Sequence, residues 1–147
     1  YGKRGSEPDD LSKIIIGSVF SVGGMLCLFA AAATTPAGEK IGLLWPVMFH
    51  VVNSIGFAHL LPVSLALFAR LAPKAINATV IGLYYLAFFA ANKVVGQVGQ
   101  LYSTMDTPTF WLLHVGTAVV GLVAFIMFKL LVSDRMTRSA EPAPAQG

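Results

Sequence analysis

The sequence predicts an all-α integral membrane protein with four transmembrane helices. Hydrophobic residues make up 56% of the 147-residue chain and charged residues 12%, about half the roughly 25% typical of soluble domains. The mean hydropathy is +0.73. Four long apolar blocks alternate with short polar connections, and Lys93 is the only charge well inside a block. A soluble four-helix bundle, the alternative, would carry more charge.

The four blocks cover about residues 11–34, 42–69, 75–101 and 109–132. Each is long enough to cross a hydrocarbon core of about 30 Å, which takes about 20 helical residues. Strands of a membrane barrel are shorter and alternate in polarity, and lipid-exposed backbone must satisfy its own hydrogen bonds. We therefore expect helices, with residues 1–10 as a cytoplasmic loop or leader and 133–147 as a flexible cytoplasmic tail.

The first block also has features of a secretory signal peptide, because its apolar core leads into a run of alanines. Its length, its acidic as well as basic leader and the further apolar blocks favour a transmembrane helix instead. Basic residues orient the helices: eight of the ten fall on one side, before or at the start of the first block, between the second and third, or at the end of the last block and beyond it. Positive-inside bias then predicts both termini in the cytoplasm and a multi-pass protein of the plasma (inner) membrane.

Polar residues of the second block share one face. At about 100° per residue, a third of the helix circumference holds His50, Asn53, Ser54, Phe57, Leu61 and Ser64. In lipid such a face must meet protein or water, so it indicates either a substrate cavity or hydrogen bonds between helices. His59 points nearly opposite, which favours a packing role.

Two other residues of the apolar blocks are candidates for function. Pro62 interrupts the second block and permits a kink. Lys93 lies about eight residues, roughly 12 Å, from the outer end of its block. It either snorkels its ammonium outward or serves an ion or substrate vestibule, since intramembrane charges are commonly functional.

Enzyme chemistry is not indicated by the sequence. It contains no nucleophile beside a base, no paired carboxylates within an apolar block and no phosphate-binding loop. The single cysteine, Cys27, cannot form an internal disulfide or a cysteine-based metal site. The basic residues form no patch for nucleic acid. We expect no cofactor and no metal.

The stretch "GFAHLLPVSLALFARLAPKAINATVIGLYYLAFFAANKVVGQVG" resembles the last helices of a known transporter family, and "EPDDLSKIIIG" resembles the segment before them. The family is the proton-dependent oligopeptide transporter family of the major facilitator superfamily. The similarity covers about residues 7–132. Positions at matching spacing are Gly56, Pro62, Val63, Leu71 to Lys74, Gly82, Leu83, Asn92 and Gly96.

The resemblance implies that the chain is the last four of twelve helices, part of the C-terminal half of a major facilitator fold. Asn53, Phe57 and Tyr84 would then contact substrate, and Pro62 would permit bending during gating. The family's substrate-amine glutamate aligns with Phe57, and its pocket tryptophan aligns with Tyr84. These departures cast doubt on ordinary dipeptide recognition.

The expected function is the C-terminal portion of a proton-coupled secondary transporter of peptides or related small solutes, working by alternating access. Its partners would be the substrate, protons, the lipid bilayer and the N-terminal helices of the same transporter. The alternative is a stand-alone four-helix membrane subunit or assembly protein with no transport activity of its own.

Overall fold

The fold is an all-α arrangement of four long helices, seen in a computed structural model that describes residues 9–36 and 38–139, with side chains described to residue 132. The helices are α1 (Asp10–Thr34), α2 (Leu44–Leu71), α3 (Asn77–Gly99) and α4 (Thr107–Ser139). Short 3-10 segments, Lys74–Ile76 and Gln100–Ser103, flank α3. Each helix, α3 counted with its two 3-10 segments, is long and apolar enough to cross a membrane. The predicted fold class is confirmed.

Local sequence accounts for the helix limits. Asp9 caps α1 by accepting a hydrogen bond from the Ser12 N–H at 3.3 Å, as short acidic residues do at helix starts. Pro73 follows the end of α2, because a proline and the residue before it do not continue a helix. Helix α4 continues to Ser139, beyond the expected start of the tail at residue 133, since its sequence has no proline or glycine in that stretch.

The helices stand in an open row in the order α4, α1, α2, α3. Helix α1 packs extensively against both α2 and α4, whereas α3 makes far fewer contacts with α2. The buried apolar side chains belong to α1 and α4, namely Ile14, Leu28, Ala31, Ala32, Phe110 and Val115. No residue of α3 is buried. Much of α2 and α3 is therefore left uncovered by the part of the chain that the structure describes.

Two glycines set the separation of α1 and α2. A Cβ atom built on Gly17 would lie 2.7 Å from the Gly56 carbonyl oxygen, and one built on Gly56 would lie 2.7 Å from the Gly17 carbonyl oxygen. Neither position has room for a side chain. Small residues at helix crossings allow this close backbone approach in membranes.

Candidate functional site

The first candidate feature is a cavity of about 450 Å³ on α2, lined by Asn53, Ser54, Phe57 and Ala58. Asn53 and Phe57 are one helical turn apart, so their side chains lie on one face. Phe57 is 45% exposed, and Asn53 is half-buried. The structure therefore brings together two of the three residues expected to contact substrate.

Helix α1 packs against α2 on the side of Asn53. A Cβ atom built on Gly24 would lie 3.3 Å from the Asn53 Cβ and 3.4 Å from a ring carbon of Phe49. The absence of a side chain at Gly24 thus leaves α1 close to the backbone of α2 beside Asn53. Within the described residues, the Asn53 side chain makes no hydrogen bond.

Tyr84, the third expected contact residue, lies in a different place. Its hydroxyl is 2.9 Å from the Ser64 Oγ, and its ring packs against Phe68 with 5.7 Å between centroids. Ser64 is only 7% exposed and donates to the Leu61 carbonyl oxygen at 3.1 Å. Since that uses the single Ser64 proton, the Tyr84 hydroxyl donates to Ser64. Tyr84 does not line the Asn53–Phe57 cavity.

Pro62 lies between these two features. It stands inside α2, four residues after Ala58 and two before Ser64. In a helix, the residue 62 N–H would bond to the Ala58 carbonyl, but proline has no N–H. Helix α2 nevertheless continues across Pro62, from Leu44 to Leu71. The bending function expected of Pro62 stays a prediction.

Lys93 and His59 stand apart from the cavity. Lys93 is exposed on α3 and lines neither this cavity nor the second one described below. The His59 ring contacts its own helix, its Nδ1 lying 2.8 Å from the Ile55 carbonyl oxygen. The His59 Cβ would be 3.2 Å from a Cβ on Gly17, so His59 lies at the α1–α2 crossing.

A second cavity, of about 770 Å³, lies between the α1–α2 and the α3–α4 connections. Its lining includes Glu39, Lys40 and Asp106 as charged residues and Tyr102 and Trp111 as aromatic ones. The Thr109 backbone N–H donates to Asp106 at 3.0 Å. This hydrogen bond, with one from the Thr109 hydroxyl, holds the pKa of Asp106 below its usual value. Asp106 is thus engaged in capping α4.

A charge network joins three helices at the opposite end of the bundle. Lys129 of α4 donates to the Asp9 carboxylate at 3.0 Å and to the Ser12 hydroxyl. Arg70, at the end of α2, forms an ion pair with Asp10. Hydrogen bonds from Ser12 and then from Lys129 lower the pKa of Asp9. In the sequence, Arg70 is one of the basic residues that orient the helices, and no sequence pattern indicated its pairing with Asp10.

Metal binding finds no support in the side-chain arrangement. Among residues 9–36 and 38–132, no group of three histidine, cysteine, aspartate or glutamate side chains is close enough to hold a metal ion. The cavity on α2 offers a side-chain amide and a hydroxyl beside an aromatic ring. Such an arrangement can bind an organic solute by hydrogen bonding and packing.

Comparison with known proteins finds peptide permeases and transporters that are similar to this chain. The chain is similar to dipeptide and tripeptide permease A of Chromobacterium violaceum, with 26% identity over 97% of this chain and 31% of the permease. The Escherichia coli permease of the same name is 24% identical over 99% of this chain and 32% of its own length. The peptide transporter YePEPT of Yersinia enterocolitica is 28% identical over 66% of this chain and 19% of its own length.

The chain spans about a third, or less, of the length of these curated relatives. No protein-family profile and no solved structure matches it. The predicted resemblance to the proton-dependent oligopeptide transporters is confirmed. Together with the four apolar helices, it supports a multi-pass membrane protein.

Proposed function

We propose that the chain is the C-terminal portion of a proton-coupled secondary transporter of peptides or related small solutes, working by alternating access. It would lie in the plasma (inner) membrane with both termini in the cytoplasm. The similarity to peptide permeases over nearly the whole chain supports this proposal. The rest of the transporter, including about eight preceding helices, would come from the same polypeptide.

The observation that carries the proposal is the cavity on α2. Asn53 and Ser54 are polar residues on a helix that is otherwise apolar enough to span a membrane. Polar groups at membrane depth are costly unless they meet protein or water, and they commonly mark a substrate pathway. A pathway formed together with further helices would satisfy these groups and would also cover the open side of the α4–α1–α2–α3 row.

The contacts suggest a role in transport for each of these residues. Asn53 would hydrogen-bond the solute, and Phe57 would pack against its apolar part. Tyr84 of α3 is held by Ser64 and Phe68. It would form part of the wall of the pathway, beside the segment of α2 that lies about two helical turns after Phe57. Pro62, between these two contacts, would let the halves of α2 reorient when the transporter changes from outward-facing to inward-facing.

The proposal is tested by uptake into proteoliposomes that contain the full-length protein. An inward proton gradient should drive accumulation of labelled dialanine or N-acetyl-dialanine, and a protonophore should abolish it. Liposomes without protein give the background. Folded, monodisperse protein that gives uptake no greater than this background for either solute contradicts the transport function and favours the stand-alone subunit.

A further inference from the structure

The second cavity, between the α1–α2 and α3–α4 connections, is lined by charges of both signs. Glu39 and Lys40 line it from one connection and Asp106 from the other. Within the described residues, no ion pair joins Lys40 to either carboxylate. A lysine and two carboxylates are therefore available to a ligand, and a molecule that carries both an ammonium and a carboxylate would match charges of each sign.

Asp106 is the carboxylate whose position is fixed. It accepts the Thr109 backbone N–H at 3.0 Å and so caps α4. Hydrogen bonds from Thr109 lower the pKa of Asp106, which keeps the group ionised at neutral pH. A carboxylate has about four lone-pair positions, so the cap leaves acceptor positions on Asp106 for a second donor.

Two aromatic rings stand beside these charges, and a buried ring holds both of them. Phe110 is 6% exposed and contacts Tyr102 and Trp111 edge to face, with 5.1 Å between ring centroids in each pair. Tyr102 and Trp111 line the cavity. An ammonium is attracted to the face of such rings. Because Phe110 fixes these walls before a ligand arrives, less ordering is needed on binding.

The deeper part of the lining is apolar and belongs to α1. Leu28 and Ala32 are buried and line the cavity. Leu28 is six residues before Thr34, the last residue of α1, or about 9 Å along the helix axis. The volume of about 770 Å³ is in the range of roughly 300–1,000 Å³ usual for small-molecule sites. The cavity can therefore hold a small solute with apolar groups as well as charged ends.

We propose that this cavity is a second binding site, for a short zwitterionic peptide. Asp106 and Glu39 bind its ammonium beside the rings of Tyr102 and Trp111, and Lys40 binds its carboxylate. The orientation expected from the basic residues puts both connections on the outer side of the membrane, where a peptide arrives before it enters the transport pathway. The inference takes its ligand class from the proposed transport function and adds a site to it.

Protection of a cysteine in the cavity tests the proposal. Thr107, which lines the cavity, is changed to cysteine in purified full-length protein with Cys27→Ser and no other cysteine, and the rate of labelling by a maleimide is measured. Saturating dialanine should slow this labelling at least about fivefold, because the occupied site shields the thiol. Ser103→Cys is the control, since Ser103 is exposed nearby and does not line the cavity. It should label at the same rate with and without dialanine.

Two probes that each lack one charge test which end of the peptide is bound. Dialanine amide has no carboxylate, and N-acetyl-dialanine has no ammonium. Each should need an about two- to fivefold higher concentration than dialanine for half-maximal protection of Thr107→Cys, the range expected for loss of one exposed charge pair.

Variants that remove one charge of the cavity test the groups themselves, in the Thr107→Cys background. Lys40→Gln should reduce the preference for dialanine over its amide to near unity and keep the preference over N-acetyl-dialanine. Asp106→Asn should do the reverse in part, since Glu39 remains, and asparagine still caps α4. Lys74→Gln is the matched control, because Lys74 lies before α3, outside the cavity lining. It should keep both preferences.

Two results would overturn the inference: equal labelling of Thr107→Cys with and without dialanine, and Lys40→Gln protein that still prefers dialanine over its amide. Binding to the α2 cavity alone would not make this preference depend on Lys40. Proton-driven uptake measured in parallel separates the inference from the transport function. Protection without uptake would leave the second site in place and refute transport, and uptake without protection would do the opposite.

Discussion

Gly17 and Gly56 meet backbone to backbone at the crossing of α1 and α2, each leaving no room for a Cβ atom on the other. A methyl group at either position would lie 2.7 Å from a carbonyl oxygen, so the helices would have to separate. Gly17→Ala and Gly56→Ala should each destabilise the full-length protein by about 1–3 kcal/mol, the usual cost of overpacking. Thermal unfolding in detergent measures the effect.

Gly23→Ala is the control for this prediction. A Cβ atom there would lie 3.6 Å from Val52 Cγ1, an ordinary van der Waals contact. This variant should unfold within a degree or two of wild type. Equal melting temperatures for Gly17→Ala and Gly23→Ala would show that the α1–α2 crossing differs from the one described.

The hydrogen bond between Ser64 and Tyr84 should couple α2 to α3. Ser64→Ala and Tyr84→Phe should each lower stability, and the double variant should lose no more than the larger single loss. We expect a coupling energy of about 0.5–1.5 kcal/mol from the double-mutant cycle, as for other hydrogen bonds between membrane helices. Tyr85→Phe is the control, because the Tyr85 side chain is 55% exposed. Strictly additive losses would contradict the bond.

Acid should weaken the attachment of α4 to the start of α1. Hydrogen bonds from Ser12 and Lys129 lower the pKa of Asp9 from its usual 3.8. A lowered pKa in the folded state means that the stabilisation is present above the ordinary value and is lost as the pH falls through the lowered one. Because the Asp9 side chain is 58% exposed, the effect should be small, roughly 0.5 kcal/mol after solvent screening.

Asp9→Asn provides the measurement. Its melting temperature should lie below that of wild type at neutral pH, and the difference should shrink as the pH is lowered below 4 and also in high salt. A difference that is constant between pH 7 and pH 3 would show that the Asp9 charge does not contribute through Lys129.

Introducing a carboxylate at position 57 should change which solute is preferred. Phe57→Glu places a negative charge in a cavity whose lining has none. Relative KM values for uptake should shift by about tenfold towards dialanine, equivalent to about 1.4 kcal/mol, and should become dependent on pH. Phe57→Gln is the control, because glutamine has the size of glutamate and no charge. It should not produce the pH dependence. An unchanged profile in active Phe57→Glu protein would show that position 57 does not contact the transported solute.

Sequence alone predicted the fold class because length and apolarity suffice to identify membrane helices. The helical period also put Asn53, Ser54 and Phe57 on one face, and these residues line one cavity. The expected span 75–101 takes in α3, Asn77–Gly99, and parts of the two 3-10 segments that flank it. The role of Asn53 and Phe57 in binding substrate stays a prediction.

The contacts between helices could not be predicted from the sequence. Periodicity describes one helix at a time and does not reveal which helices are neighbours. The pairing of Arg70 with Asp10 and of Lys129 with Asp9 depends on α1 lying between α2 and α4. The expectation that Tyr84 contacts substrate came from the family resemblance, which did not indicate the bond between its hydroxyl and Ser64. The Asn77 side chain, which donates to the Ala69 carbonyl at 2.6 Å, likewise had no signal beyond its position after the turn.

Protection of position 57 by solute is the most direct test that the α2 cavity belongs to a transport pathway. Phe57→Cys is made in full-length protein with Cys27→Ser and no other cysteine, and is labelled with a membrane-impermeant maleimide. The transported solute, at about ten times its KM, should slow labelling roughly tenfold by occupying the site. Val51→Cys, about 120° around α2 from Phe57 and outside the cavity lining, should label at the same rate with and without solute. Equal labelling of Phe57→Cys in both conditions, in protein that still takes up the solute, would contradict the account.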